Sequence, residues 1–344
     1  MTHRIAIAGF GRMGRLAARV VIERPELGLE VVAIHECAAD AATAAVLLEF
    51  DSVQGRFARP CSGDGDALRV GDRTIAYAAS GADEVPDWSA HGVDLVLECT
   101  GTRRRPELVD VHRARGAARV VVSAPVKGDA PNVVVGVNHD AFDLAAAPIA
   151  SAASCTTNCL APIVRVVHDG LGIERGLVTT IHDPTNTQRV VDAPHADPRR
   201  ARAAGTNLIP TSTNSAHAVT RIVPELAGKL DSIAVRAPVH NASLVDAVFQ
   251  VRTATDVEAV NGLLAAAAAS GRLRGILGFE TRPLVSSDYA RDPRSGVVDA
   301  LSTRVTDERL VKVLAWYDNE WGYANRMVEL AAMCLGASFE GTRA

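Results

Sequence analysis

Apolar runs and helix-like segments alternate along the first part of the chain. The run "RIAIAGF" (4–10) ends in glycine, "RMGRLAARVVIE" (12–23) carries apolar residues at helical spacing, and "EVVAIHE" (30–36) is rich in β-branched residues. Short apolar or β-branched runs are typical of strands, and a period of about 3.6 residues is typical of helices. This segment therefore predicts a strand–helix–strand unit.

The same alternation recurs further along the chain. "VDLVLECTG" (93–101) and "ARVVVSAPV" (118–126) are strand-like, Pro106 opens the helix-like "PELVDVHRARG", and the apolar run "NVVVGVN" (132–138) continues the pattern. Strands that alternate with helices imply a parallel, doubly wound sheet. We therefore expect an N-terminal α/β domain of the Rossmann type.

After about residue 150 the pattern of polar positions changes. The segments "GLVTTIH", "SIAVRAPV", "SLVDAVFQVR" and "RLVKVLAWYD" alternate apolar and polar residues, as sheets with one buried face do. They predict a second, α+β domain with a mainly antiparallel or mixed sheet. The last segment, "EWGYANRMVELAAMCLGA", predicts a helix with one apolar stripe.

Composition is consistent with two domains and excludes several classes of protein. A chain of 344 residues is long for a single core, so we expect domains at 1–154 and 155–319, with the helix in 320–344 docking on the first. The net charge of -4 lacks the basic excess of nucleic-acid or membrane-surface binding. No signal peptide or membrane span is readable, and six cysteines without framework spacing favour a soluble, cytoplasmic protein.

A glycine motif lies between the first predicted strand and helix. Gly9, Gly11 and Gly14 form G-x-G-x-x-G in "GFGRMG", and Glu36 ends the next strand. Glycines there let backbone N–H groups approach a pyrophosphate at a helix N-terminus. Arg12 adds a positive charge, and Met13 lies in the same turn. Because Glu36 can bind ribose hydroxyls and would repel a 2′-phosphate, the motif favours NAD, with NADP as the alternative.

The stretch "ASCTTNCLAP" places Cys155 and Cys159 one helical turn apart. Three interpretations are open: a disulfide, half of a metal site, or a nucleophile beside a structural thiol. Side chains one turn apart are displaced along the axis, which is poor disulfide geometry, and further metal ligands at suitable spacing are missing. A helix that starts near Cys155, with Ser154 as N-cap, would stabilise a thiolate in its first turn.

A cationic partner is needed to activate such a thiol. Lowering a thiol pKa from about 8.5 to about 6 takes about 3.4 kcal/mol, whereas a helix dipole gives about 0.3–1 kcal/mol. His182 ends the strand "GLVTTIH" before the polar loop "DPTNTQ", where α/β proteins place chemistry. The sequence has ten histidines, so spacing alone leaves this pairing open.

At these positions, and at "FDSVQGRF", "ECTG", "SAPV", "GVNHD" and "WYDNEWGYANRM", the sequence resembles the phosphorylating glyceraldehyde-3-phosphate dehydrogenases over nearly its whole length. The resemblance implies that Cys155 is the nucleophile and His182 its base. It implies oxidation of a phosphorylated aldehyde through a thioester, which inorganic phosphate then cleaves. It also implies a homotetramer.

Further site residues follow from the resemblance. For the cofactor cleft they are Thr100, Gly101, Ser123, Asn319 and Tyr323. For the substrate phosphate and the inorganic phosphate they are Thr185, Arg236, Ser154, Thr156, Thr213 and Asn214, with Arg200 between the two sites. Arg199 and Arg202 are alternatives to Arg200 in the same loop.

Some positions depart from the family pattern. Glu36 stands where many NAD-dependent members have aspartate, and Asn214 stands where the family has glycine at the second anion site. Parts of the chain look like erythrose-4-phosphate dehydrogenases, in which water takes the acyl group. "TTIHDPTNTQ" and "DYARDPRSGVVDALST" look like a branch encoded with arsenic-resistance genes that would use arsenate. A dinucleotide-binding interaction protein without activity is the alternative outside enzymes.

Overall fold

The computed structural model of the protein describes residues 2–128 and 130–337, and its elements fall into two units. Within those residues the first unit takes the chain up to Ser154 and again from Ala324, and the second unit takes Cys155–Tyr323. The elements of the first unit are β1 (His3–Ala8), α1 (Arg12–Glu23), β2 (Leu29–Glu36), α2 (Ala41–Glu49), β3 (Phe50–Asp51), β4 (Gly55–Arg56), β5 (Cys61–Asp64), β6 (Ala67–Val70), β7 (Arg73–Ala79), β8 (Leu95–Glu98), α3 (Pro106–Val109), α4 (Val111–Ala114), β9 (Arg119–Val122) and β10 (Ile149–Ser151).

The first unit contains the predicted doubly wound sheet. Its strand order is β10-β9-β8-β1-β2-β7-β6-β5, and the strands run parallel from β10 to β7, with β5 and β6 forming an antiparallel edge. The central strands β1 and β8 bury their apolar runs, as a sheet covered on both faces requires. The chain leaves β1 toward β2 on one side and later returns to β8 on the other, so their carboxyl ends form a switch point of the type that binds ligands.

The predicted continuation of this pattern at 132–138 is wrong. This segment makes only an isolated bridge, from Asn132 to Ser151, and then turns. Gly136 has φ +87°, and the Asn138 side chain accepts a hydrogen bond from the N–H of Val134 (2.7 Å), which closes the turn. The edge of the sheet is instead taken by β10.

The second unit begins with the segment that carries the two cysteines. Its elements are α5 (Cys155–Leu171), β11 (Ile173–His182), β12 (Ile209–Ser212), α6 (Ser215–Ile222), β13 (Leu230–Arg236), β14 (Ser243–Val251), α7 (Val257–Ala269), β15 (Leu277–Glu280), β16 (Gly296–Asp299), β17 (Arg304–Thr306), β18 (Leu310–Tyr317) and the start of α8 (Trp321–Cys334).

The sheet of the second unit is mixed, which confirms the predicted fold class. Its order is β12-β13-β11-β14-β18-β16-β15, with β17 paired to β18, and most pairs are antiparallel. The pairs β11–β13 and β15–β16 are parallel. Along β14 every second side chain is buried, and α5 packs against β11, β14, β16 and β18. This packing places the first turn of α5 near the carboxyl end of β11.

The last helix, α8, is buried on nearly every side. The predicted stripe of Met327, Leu330, Ala331 and Cys334 is at most 1% exposed. Glu329 on this helix lies 2.6 Å from the guanidinium of Arg24, which directly follows α1. Among the described residues, no helix is both long and apolar enough to cross a membrane.

Candidate active site

The glycine motif forms a tight turn between β1 and α1. Gly9 has φ +86°, and a Cβ there would lie 2.6 Å from the backbone nitrogen of Thr100. A Cβ on Gly14 would lie 2.1 Å from the carbonyl oxygen of Gly9. A Cβ on Gly11 would meet nothing within 4 Å, so the space above the helix N-terminus is open. The turn therefore fits a ligand whose phosphates approach the backbone closely.

The carboxylate of Glu36 is held beside this turn at the carboxyl end of β2. It accepts hydrogen bonds from the backbone N–H groups of Phe10 (2.5 Å), Cys37 (2.9 Å) and Ala38 (2.8 Å). The preceding His35 is buried, and its burial lowers the pKa of the imidazole. Glu36 is thus a fixed anion next to the predicted pyrophosphate position, as recognition of a ribose requires.

Arg12 is less available than the sequence suggested. Its guanidinium lies 3.1 Å from the carboxylate of Asp51, which is almost fully buried. Burial opposes ionisation of Asp51, but the N–H groups of Gln54 and Val53 and the charge of Arg12 together lower the pKa of this carboxyl. The charge of Arg12 at the start of α1 is therefore already shared with an anion.

Thr100, Gly101 and Ser123 lie at the ends of β8 and β9, as expected from the sequence. The backbone N–H of Thr100 donates to the carboxylate of Glu98 (2.8 Å), and the Thr100 hydroxyl also contacts it. The N–H of Ser123 donates to the carbonyl oxygen of Glu98 (2.9 Å). On the other side of the Glu98 carboxylate, Nε2 of the buried His112 lies 2.8 Å from the second carboxylate oxygen. This buried support was not predicted from the sequence.

Cys155 and His182 meet in the second unit. Cys155 is the first residue of α5, directly after Ser154, and its Sγ lies 3.6 Å from Nε2 of His182, the last residue of β11. Burial would raise the pKa of the thiol, but the hydrogen bond and charge of His182, with the charge of Arg236, lower it. Burial would favour a neutral imidazole, but Asp183 and Cys155 raise the pKa of His182 to about 9. The two groups therefore stabilise each other as thiolate and imidazolium.

Tyr317 packs beneath this pair. Its ring lies edge-on to the imidazole of His182, with centroids 5.9 Å apart. Its hydroxyl hydrogen-bonds to the hydroxyls of Thr156 (2.9 Å) and Thr180 (2.8 Å). The hydroxyl of Thr156, predicted to bind an anion, is thus engaged with Tyr317 in this structure. The cluster fixes the orientation of the His182 ring.

Two of the predicted anion-binding residues, Arg200 and Thr185, are linked by hydrogen bonds through Thr187 in the loop after β11. The Arg200 guanidinium donates to the Thr187 hydroxyl (2.9 Å) and the Ser212 carbonyl (3.3 Å). The Thr187 hydroxyl lies 3.0 Å from that of Thr185. Thr213 directly follows Ser212. Arg200 therefore connects the two predicted anion positions.

The neighbouring arginines do not take this place. Arg202 pairs with Asp192 (2.8 Å), and both side chains are more than half exposed. Arg199 is exposed in the same loop. This arrangement distinguishes Arg200 from the two alternatives that the sequence left open.

Arg236 and Asn214 differ in burial. Arg236, the last residue of β13, donates to the carbonyl oxygen of Asp183 (3.1 Å), while its buried Nε has no hydrogen-bond partner among the described residues. Burial lowers the pKa of this guanidinium. Asn214 is exposed at the N-cap of α6, and its side chain does not cap the helix.

Asn319 is held by hydrogen bonds on both sides of its amide. Its Oδ1 accepts from the Ser243 hydroxyl (2.9 Å), and its Nδ2 donates to the Asp183 carboxylate (3.1 Å). Tyr323 is buried in the first turn of α8. Both predicted cofactor residues therefore have restricted side chains.

Cys159 faces the core, away from any open surface. It is 0% exposed, and its Sγ would lie 2.8 Å from a Cβ on Gly296 of β16. Burial raises its pKa, so the thiol is inert. All six cysteines are free. In the described part of the chain, no group of three or more histidine, cysteine, aspartate or glutamate side chains could hold a metal.

Comparison with known proteins agrees with this geometry. The family profile described as glyceraldehyde 3-phosphate dehydrogenase, NAD binding domain, matches residues 3–105, and the profile of the C-terminal domain matches 154–319. The chain is 55% identical over 332 residues to glyceraldehyde-3-phosphate dehydrogenase 3 of Nostoc sp., covering 96% of this chain and 98% of that protein. It is 48% identical over 340 residues to the Pseudomonas aeruginosa glyceraldehyde-3-phosphate dehydrogenase, covering 98% and 99%. The chain belongs to the glyceraldehyde-3-phosphate dehydrogenase family.

Membership confirms the resemblance seen in the sequence motifs. As a member of the glyceraldehyde-3-phosphate dehydrogenase family the protein is an oxidoreductase, and its N-terminal region is an NAD-binding domain. The open space at Gly11 and the fixed carboxylate of Glu36 fit such a cofactor.

Sequence reasoning missed several residues of the site in this glyceraldehyde-3-phosphate dehydrogenase family member. Asp183, Tyr317 and Thr180 were not singled out, although Asp183 directly follows His182 and Tyr317 belongs to the quoted motif "WYDNE". Thr187 was also missed, and its place in the polar loop after β11 was the available signal. In each case the signal was proximity in sequence to a residue already chosen.

Proposed function

We propose that the protein catalyses the NAD-dependent, phosphorylating oxidation of glyceraldehyde 3-phosphate to 1,3-bisphosphoglycerate. The observation that carries this proposal is the approach of Cys155 Sγ to His182 Nε2, at 3.6 Å, in a chain that belongs to this dehydrogenase family. A thiolate at the start of a helix, next to an imidazolium, is the nucleophile that such chemistry requires.

The proposed mechanism assigns roles to this pair. The Cys155 thiolate adds to the aldehyde carbon while the imidazolium of His182 gives its proton to the carbonyl oxygen, so that a hemithioacetal and a neutral His182 result. His182 takes the proton of the hemithioacetal hydroxyl while a hydride leaves that carbon, and a thioester on Cys155 results. NAD, when bound, supplies the hydride acceptor. Inorganic phosphate then attacks the thioester carbon and releases the Cys155 thiolate with the acyl phosphate.

We propose two anion sites around the thiol. Thr185 and Arg236 bind the substrate phosphate, and the buried Nε–H of Arg236, which has no partner among the described residues, supports this role. Ser154, Thr156, Thr213 and Asn214 bind the attacking phosphate. Arg200 serves both sites, because guanidinium groups suit tetrahedral anions.

We also propose which residues bind NAD. The motif at Gly9, Gly11 and Gly14 receives the pyrophosphate, with Arg12 and Met13 in the turn. Glu36 binds the ribose. The nicotinamide half is held by the remaining set, which is Thr100, Gly101, Ser123, Asn319 and Tyr323. Residues 1–154 with the helix in 320–344 would form the NAD-binding domain, and 155–319 the catalytic domain.

A direct test is steady-state formation of NADH from glyceraldehyde 3-phosphate, NAD and phosphate. Cys155→Ser and His182→Asn should lower kcat by about a hundredfold or more, because each removes a group that acts on the reacting carbon. Cys159→Ala, the matched thiol variant, should keep its turnover. Near wild-type turnover in Cys155→Ser would refute the assigned nucleophile.

Arsenate as the physiological acceptor is the second candidate, and the exposed Asn214 at the second anion site favours it. Rates should be compared with phosphate, arsenate or neither, in wild type and Asn214→Gly. A phosphate KM that falls in the variant, with the arsenate KM unchanged, would support specialisation for arsenate. Turnover that ignores both anions would favour the hydrolytic, erythrose-4-phosphate type of reaction. The homotetramer and the cytoplasmic location stay predictions.

A further inference from the structure

The buried carboxylate of Asp183 lies on the far side of the imidazole from the thiol. His182 Nδ1 hydrogen-bonds to the carbonyl oxygen of Asp183 (2.9 Å), and Oδ1 of the same residue lies 2.6 Å from this nitrogen. The side chains of both residues are only 6% exposed. In the described part of the chain no donor makes a hydrogen bond of good geometry to this Oδ1. The imidazole of His182 is the charged group that lies against this oxygen.

The other oxygen of the carboxylate contacts Asn319, one of the residues proposed to bind the cofactor. Asp183 Oδ2 accepts a hydrogen bond from Asn319 Nδ2 (3.1 Å), and the Asn319 carbonyl accepts from the Ser243 hydroxyl (2.9 Å). The backbone N–H of Asp183 donates to the same hydroxyl (3.3 Å). A closed ring of three residues, completed through the backbone N–H of Asp183, thus restrains the carboxylate.

The backbone also restricts this residue. Asp183 follows the last residue of β11, and because the next residue is Pro184, the backbone of Asp183 is confined to extended conformations. Burying a carboxylate is costly unless an opposite charge is placed against it. A fold that only needed a partner for Asn319 could use a neutral side chain here.

We infer that Asp183 is a positioning residue of the active site, which holds His182 as an imidazolium facing Cys155 and links it to Asn319. The inference rests on the proposed function of the thiol and imidazole. In it, Nε2–H of His182 faces the Cys155 thiolate, and the Asp183 carboxylate lies against Nδ1 on the other side of the ring. Asp183 itself touches no reacting atom.

Other charged and titratable groups face the imidazole from the surrounding elements. Cys155 does so from α5, Tyr317 from β18, and Arg236 from β13 through the Asp183 carbonyl (3.1 Å). Arg236 opposes a positive charge on His182, and burial opposes it further. The carboxylate and the thiolate are the two groups that favour the imidazolium, so removal of Asp183 should change how the pair titrates.

The test is the rate of alkylation of Cys155 by iodoacetamide against pH, in the full-length protein. Iodoacetamide is uncharged, so a lost carboxylate does not alter its approach. Cys155→Ser supplies the background from other thiols, such as the exposed Cys37. The wild-type profile should have two steps: one where the ion pair forms, and one near pH 9 where the imidazolium loses its proton.

Asp183→Asn should move the upper step down by about one pH unit, equal to a tenfold change in the acidity of the imidazolium. Asp183→Glu keeps the charge and should leave this step closer to that of wild type. Asp246→Asn is the matched control: it removes a carboxylate on β14 that pairs with Lys312 (2.8 Å), and it should reproduce the wild-type profile.

The outcomes separate the two proposals. If wild type shows two steps and Asp183→Asn leaves the upper one unmoved, the role of Asp183 is overturned while the proposed function stands. Equal shifts in the Asn and Glu variants would also overturn it, because they would indicate a structural role without a part for charge. A single wild-type step near the ordinary thiol pKa of about 8.5 would overturn the activated thiol itself.

Discussion

The guanidinium of Arg200 is held on three sides by groups of the second unit. Besides the Thr187 hydroxyl and the Ser212 carbonyl, its Nε lies 3.4 Å from the carboxylate of Asp197. Only 16% of the side chain is exposed. A guanidinium positioned in advance loses little conformational freedom when an anion binds, so this residue should contribute more to phosphate recognition than its exposed neighbours.

We expect Arg200→Ala to raise the KM for glyceraldehyde 3-phosphate, or for phosphate, by about tenfold or more, with the KM for NAD little changed. A lost charge-assisted hydrogen bond of about 1.5–3 kcal/mol accounts for this size. Arg202→Ala, which removes an exposed ion pair from the same loop, should change neither constant by more than about twofold. Steady-state kinetics with each substrate varied in turn would decide; equal effects of the two variants would contradict the assignment.

The sequence could predict the chemical pair but not its supports. Cys155 was placed at a helix start and His182 at a strand end by local rules, and both placements agree with the structure. Asp183 was missed because successive residues on a strand point to opposite faces, so adjacency argued against contact. The strand ends at His182, and the turn toward Pro184 brings the next side chain back to it.

At the scale of elements, the junction of β1, α1 and β8 depends on the lack of side chains in the glycine turn. The Gly14 position is closed by the carbonyl oxygen of Gly9, whereas the Gly11 position is open to ligand. The two glycines therefore serve different purposes, one in packing and one in access.

Gly14→Ala should destabilise the protein by about 1–3 kcal/mol, because backbone must move to admit the methyl group. It should also weaken NAD binding. Gly11→Ala meets no protein atom, so it should leave stability nearly unchanged while reducing NAD affinity. Urea unfolding and NAD titration of both variants would measure this contrast. A Gly14→Ala protein as stable as wild type would contradict the packing role.

Element prediction succeeded where periodicity was strong and failed where an apolar run was not regular structure. The helix predicted at 12–23 has those bounds in the structure. The run at 132–138 buries Val133, Val134 and Val135 as completely as a strand would, yet it forms a turn. Burial alone produces such a run, so the pattern could not distinguish the two. The short strands β15, β16 and β17 also carried no readable pattern.

At the scale of the whole molecule, the C-terminal helix joins the N-terminal unit through charge. Glu329 is 3% exposed and lies 2.6 Å from both Arg24 and Arg326. The Arg24 guanidinium is largely buried, and Glu329 and Glu26 outweigh that burial to raise its pKa. The carboxylate of Glu329 therefore balances one fully buried guanidinium, that of Arg326, and one largely buried guanidinium, that of Arg24.

Glu329→Gln should lower the free energy of unfolding by about 3–5 kcal/mol, because it removes the buried carboxylate that both guanidinium groups contact. Glu26→Gln removes the exposed partner of the same arginine and should cost less than about 1 kcal/mol. Urea unfolding of both variants at neutral pH would measure the difference. Similar losses in the two would indicate that burial of the pair does not matter.

The chain enters the second unit at Cys155 and returns to the first within α8, at Ala324. The first unit is therefore discontinuous in sequence, and its last helix leaves the ribosome only after residues 155–323 of the second unit. During synthesis the surface of the first unit that packs against α8 therefore stays uncovered. The second unit by then already has nearly all of its residues. We would expect a chaperone that binds the nascent chain to bind this uncovered surface of the first unit.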